Sequence, residues 1–222
     1  MYVIIILFAL IFIGIPISFS IGLSSLLSLL MEGKQFFLNS IPQTMFSGLN
    51  EFPYLSIPCF ILAGELMNRS GITDILIELA NTLVGHWRGG LAHVNVLASV
   101  FFAGITGNAV SDTSALGSVE IPMMLRGGYD KGFTAAVTAA SSVIGPIIPP
   151  SVIMVVYAMV AMNVSIGAMF MAGIMPGILM AVSLMVLSYF IAKKRRVPVQ
   201  EHRANIKEIF QAFRKAIVAL IM

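Results

Sequence analysis

The sequence predicts an all-α, polytopic membrane protein containing a re-entrant helical hairpin and a helix broken by prolines. Three observations carry this. Of 222 residues, 58% are hydrophobic and only 10% charged, against about 25% charged in soluble domains. Residues 2–30 contain no charged side chain, a longer run than the ~18 residues that mark a spanning helix. The apolar runs are continuous rather than alternating, and a bilayer admits only helices or closed barrels, so they read as helices.

The first helix covers about 2–30, with "GIPIS" at 14–18 placing a kink at Pro16. It lacks a basic leader and a small-residue cleavage site, so it is expected to be retained rather than removed as a signal. Residues 31–53, with Glu32, Lys34 and Glu51, read as a mixed loop with room for a short interfacial helix. A second apolar run, 54–68, ends at Asn68-Arg69-Ser70-Gly71 and contains the single cysteine, Cys59. One cysteine excludes an internal disulfide and a cysteine-cluster metal site, and Cys59 is assigned to packing. Ile72, Ile75, Leu76, Leu79 and Leu83 recur at helical spacing. They predict an amphipathic helix, either on the membrane surface or, preferred here, packed on the rest of the protein. His86 and His93 lack further ligands and are assigned structural roles.

Residues 91–106 and 113–125 form two apolar arms around "TGNAVSDTS". At 1.5 Å per residue they reach only about 24 and 20 Å, short of a ~30 Å hydrocarbon core. Arg88, Arg126 and Lys131 flank their outer ends, so the pair is expected to enter from the basic, cytoplasmic side and turn partway across. Next, 133–163 is long enough to span but holds Gly145, Pro146, Pro149 and Pro150. Two short helices joined by unwound "GPIIPPS" are expected. A closing helix, about 166–191, leads into a basic stretch. Eight of the thirteen Lys and Arg lie between Lys193 and Lys215, a cytoplasmic topology signal rather than a nucleic-acid patch.

Irregular backbone at membrane depth is tolerated where it is buried in protein or lines a cavity. A hairpin beside a discontinuous helix is the arrangement secondary transporters use for substrate and coupling ions. Gly107, Asn108, Ser111 and Asp112 supply carbonyl, amide, hydroxyl and carboxylate oxygens. Gly145 and Pro149 add unwound backbone whose freed carbonyls can ligate Na⁺, so the tip reads as half of an ion or substrate site. Asn108 and Ser151 are candidates for an anionic substrate. Asp112 has a plainer reading as the N-cap of the second arm. Glu120, nearer the cytoplasmic end, is expected to face water or pair with Arg126, and Glu65 to snorkel to the interface beside Arg69. No transition-metal site, cofactor or phosphate loop is found, and no paired catalytic groups suggest an enzyme. A channel or accessory subunit with a re-entrant loop is the alternative.

Four blocks carry a family resemblance: "IPCFILAGELMNRSG", "VGHWRGGLAHVNVLASVFFAGITGNAVSD", "IPMMLRGGYDKGFTAAVTAASSVIGPIIPPS" and "FMAGIMPG". Together they resemble the large membrane subunit of tripartite ATP-independent periplasmic (TRAP) transporters, across nearly the whole chain. Where the family often shows "SGSxxAD" this chain has "TGNAVSD", so Asn108 and Ser111 depart from the pattern. The resemblance implies an elevator-type, Na⁺-coupled importer of carboxylates, built of two inverted repeats in the bacterial inner membrane. It also implies two partners, a small four-helix membrane subunit and a periplasmic substrate-binding protein. The family's subunit is about twice this length, so the chain is expected to hold the first repeat. On that basis 1–87 are scaffold helices and connector, 88–192 the transport segment, and 193–222 a basic linker entering the second repeat.

Overall fold

Proline and glycine set the first departure from a simple series of spans. In the computed structural model, which describes residues 2–50, 55–161, 163–195, 197 and 204–221, the long N-terminal run is two helices, α1 (Tyr2–Phe12) and α2 (Ile17–Met31). Gly14 adopts φ 93° and the Ile15 amide donates to the Leu10 carbonyl at 3.1 Å. That is the left-handed, six-to-one closure that ends helices, and Pro16 follows it. The run is therefore broken, not merely kinked. The two helices pack on each other, with Ser20, Ser24 and Ser28 buried at four-residue spacing along α2. Ser20 and Ser24 turn their hydroxyls onto carbonyls one turn back, at 3.2 and 3.0 Å. A 3-10 turn, Gln35–Asn39, then leads to α3 (Ser40–Leu49), a short helix within the mixed segment 31–53. Glu51 of that loop, and Arg196 and Arg203 of the basic cluster, lie outside the described residues.

The chain separates into two compact units, Met1–Phe52 and Pro53–Met222. The second is built on α4 (Ser56–Arg69), α5 (Ile72–Val84), α6 (Gly90–Thr106), α7 (Ala109–Arg126), α8 (Lys131–Ser142), α9 (Val152–Ala161), α10 (Ile166–Arg195) and α11 (Ile206–Ile221). Cys59 of α4 is exposed rather than packed, and Glu65 pairs with Arg69 at 2.8 Å. The amphipathic α5 buries Leu76, Ile77, Leu79, Ala80 and Val84, packed between α6 and α11. Ala212 and Ala216 of α11 share its core, and Lys215 reaches Glu78 at 3.0 Å. This is the docked connector, not a free surface helix.

α10 is the described helix long and apolar enough to cross a membrane. Its 30 residues reach ~45 Å, and Met171, Leu179, Val186 and Phe190 stand exposed along it. It runs four residues past the expected end, to Arg195, whose guanidinium meets Asp130 at 2.9 Å. Around this end a Cβ on Gly89 would stand 2.6 Å from Ala192, and one on Gly127 would stand 2.6 Å from Leu91. The outer ends of α6 and α7, the start of α8 and the basic end of α10 therefore share one end of the unit.

Candidate ion site at the hairpin tip

α6 and α7 form a helix–turn–helix hairpin whose turn is only two residues, Gly107 and Asn108. Gly107 closes α6 at φ 57°, a left-handed conformation that favours glycine. Asn108 is extended, and its Oδ1 accepts the Val110 amide at 2.9 Å. Asn108 is thus the N-cap of α7. The second arm begins at Ala109, four residues earlier than expected, because the cap is Asn108 and not Asp112. Ser111 and Asp112 consequently sit in α7's first turn. Asp112 is not the cap and is wholly buried.

The second half of the site is the break between α8 and α9. Asp130 caps α8, accepting the Phe133 amide at 3.1 Å. Past Ser142 the chain continues in turns through Ile148, then through the cis Pro149–Pro150 bond. Pro149 has no N–H, so the Gly145 carbonyl loses the donor that a continuous helix would supply four residues on. Ser151 starts α9, its hydroxyl donating to the Pro146 carbonyl at 2.7 Å and accepting the Met154 amide at 3.3 Å.

The two halves touch at two places. A Cβ on Gly107 would overlap the Pro150 carbonyl and stand 3.0 Å from Ser151 Cα; a Cβ on Gly145 would overlap Asp112 Oδ2 and stand 3.1 Å from its Cγ. Glycine at both positions is what allows the hairpin tip to press on unwound backbone. Of the expected residues, Gly107 is brought against Ser151 and Asp112 against Gly145, all four buried, and Pro149 is partly buried beside Gly104. Asn108 and Ser111 are exposed. The Ser151 hydroxyl is engaged within its own break, and Asn108 Oδ1 within its own cap.

A polar seam that the sequence did not reveal lies behind the tip. Asn95 of α6 donates to Thr138 Oγ1 at 2.9 Å and accepts from Ser141 Oγ at 2.7 Å, all three buried. Ser142 returns its hydroxyl to the Thr138 carbonyl at 2.8 Å. The network fixes α6 against α8, so the hairpin and the broken helix hold one register. Glu120 is a correction. It neither faces water nor pairs with Arg126: it is wholly buried, and Arg126 Nε donates to the Pro122 carbonyl at 3.2 Å. His93 is structural, with Nδ1 2.9 Å from the Gly89 carbonyl and its ring edge-on to Trp87 at 5.5 Å.

Residues 4–222 match the family model for the tripartite ATP-independent periplasmic transporter, DctM component. The chain belongs to this family. It is 41% identical over 216 residues to the sialic acid TRAP transporter large permease protein SiaM of Vibrio cholerae, covering 96% of this chain and 50% of that protein. An uncharacterised protein of Salmonella typhimurium, YgiK, is 40% identical over 211 residues, 95% of this chain and 48% of that protein. The C4-dicarboxylate TRAP transporter large permease protein DctM of Rhodobacter capsulatus is 37% identical over 131 residues, 59% of this chain and 30% of that protein. This TRAP permease chain spans about half the length of the first two of these relatives. The family is one of transporters rather than enzymes.

Proposed function

We propose that this TRAP permease chain forms the first of two inverted repeats in the large membrane subunit of a Na⁺-coupled importer of carboxylate solutes. Its segment 88–192 is the moving, elevator-type part. One observation carries the reading: the α6–α7 tip meets the α8–α9 break at Gly107–Pro150 and Asp112–Gly145. A carboxylate, a carbonyl released from helical bonding and a tight turn are thereby gathered where Na⁺ needs several oxygens. Gly107, Asp112, Gly145 and Pro149 supply that site, with Asn108 and Ser111 at its exposed rim. Asn108, through its amide N–H₂, and the Ser151 end of α9 face the substrate carboxylate.

The hairpin is re-entrant in this reading. Its arms of 17 and 18 residues reach ~26 and ~27 Å against a ~30 Å core. Arg88, Arg126 and Lys193–Arg195 gather at one end, which basic-loop bias assigns to the cytoplasm of a bacterial inner membrane. A small four-helix membrane subunit and a periplasmic binding protein complete the assembly. Solutes like those named for its relatives, a sialic acid or a C4-dicarboxylate, are the substrate class.

The test is uptake of a radiolabelled sialic acid and a C4-dicarboxylate into proteoliposomes holding the complete three-part system, titrated with Na⁺. Asp112→Asn should raise the Na⁺ concentration for half-maximal uptake several-fold at unchanged insertion. An unshifted curve would remove Asp112 from the ion site.

A further inference from the structure

Glu120 is a buried acid that the ion site does not use. It lies eight residues beyond Asp112 on α7, ~12 Å along the axis. Its side chain is wholly buried among the helices of this chain. Among the described residues neither Oε1 nor Oε2 has a hydrogen-bond partner. The charged groups around it are all committed or remote. Arg126 is exposed and donates to Pro122; on α8 the nearest are Asp130 and Lys131 at its start; on α6 the nearest titratable group is His93; on α5, Glu78 pairs with Lys215 and Asp74 is exposed.

Ser99 Oγ on α6 and Thr134 Oγ1 on α8 are also buried with no hydrogen-bond partner among the described residues. Helix register brings both to the level of Glu120. In the hairpin, Gly127 packs on Leu91 and Asn95 reaches Met124, which sets Ser99 across from Glu120. Between α7 and α8, Asp112 meets Gly145 and Gly117 faces Thr138, which sets Thr134 within a turn of it. Register thus places one buried carboxylate and two buried hydroxyls at about one level of the three helices, with no hydrogen bond to any of them among the described residues.

An isolated ionised carboxylate in such a place would cost many kcal/mol. We propose that Glu120 is a second monovalent-cation site, separate from the hairpin tip, where a proton or Na⁺ neutralises the carboxylate and Ser99 and Thr134 complete the oxygen set. The charge balance selects a monovalent ion. Asp112 is two turns away, so a divalent ion would leave a net positive charge buried. This does not rest on the transport reading, because the enclosure is made by this chain's own helices.

The test is infrared spectroscopy of the purified chain in lipid bilayers at neutral pH, with ¹³C-glutamate labelling to shift glutamate bands away from those of Asp112. Spectra are compared in Na⁺ and in N-methylglucamine. A proton at the site gives a carboxylic-acid C=O band, shifted by deuterium and by the label, and lost in Glu120→Gln. Na⁺ at the site gives carboxylate stretches that move when Na⁺ is exchanged, again lost in Glu120→Gln. Because labelling assigns the bands to glutamate without a substitution, Glu32, Glu65 and Glu78, ion-paired at 2.7, 2.8 and 3.0 Å, serve as ionised references even if the variant folds poorly. The proposal is overturned by a labelled spectrum with no acid band and no Na⁺-sensitive carboxylate.

Discussion

Gly145→Ala tests the meeting of hairpin and broken helix directly. The added Cβ would overlap Asp112 Oδ2 and stand 3.1 Å from both Asp112 Cγ and the Ser142 carbonyl oxygen. The Ser142 carbonyl belongs to backbone and cannot swing away, whereas the carboxylate is the end of a rotatable side chain. Asp112 therefore yields, and overpacking of this kind costs ~1–3 kcal/mol. Asp112→Ala removes the obstacle together with whatever the carboxylate holds in place. In the alanine-145 background that arrangement is already displaced, so the second substitution should do less harm. The double variant is expected to be more stable than the sum of the single losses by at least ~1 kcal/mol. The measurement is reversible unfolding of the four purified proteins in mixed micelles of increasing denaturing detergent. Independent sites add to within about 0.5 kcal/mol; additivity to that tolerance would refute the contact and the site built on it.

Two further outcomes can be read in the same assay. Asn108→Ala should cost ~1 kcal/mol through loss of the α7 cap, while Asn108→Asp or Asn108→Ser should cost only a few tenths; equal losses in all three would deny the cap. At the opposite end, the Phe133 amide and then Arg195 hold the Asp130 carboxyl below its usual value of 3.8. Its folded-state value lies below the unfolded one, so its contribution is complete above about pH 4 and is lost as pH falls through the lower value. Asp130→Asn should flatten that acid-side decline, and an unchanged pH profile would show that the pair does not couple to folding.

Much of this architecture was legible because the signals are local. A missing N–H at Pro149 and Pro150 interrupts a helix wherever it occurs, and Gly107-Asn108 closes one helix and caps the next with no help from distant residues. The same local logic operates at Gly14-Ile15-Pro16, where the one expected span becomes two packed helices. The Asn95–Thr138–Ser141 seam carried no such signal. A single amide inside "HVNVLASV" looks like any polar interruption until a partner more than forty residues away comes alongside it.

Glu120 departs from expectation for a different reason, since nearness to Arg126 along the chain is not nearness to water. Helical rotation, not distance from the helix end, decides which way a side chain faces. Asp112, Leu116, Gly117, Glu120 and Met124 are all buried, and their spacings of four, five, eight and twelve residues lie on one stripe of α7. Leu116 and Met124 alone define that stripe, with Glu120 one turn from each. The apolar pattern therefore already required a carboxyl group inside the helix packing. An acid fixed there by its neighbours on both sides cannot turn outward without dismantling the face that holds α7 against α6 and α8, so its charge has to be met by something that travels to it.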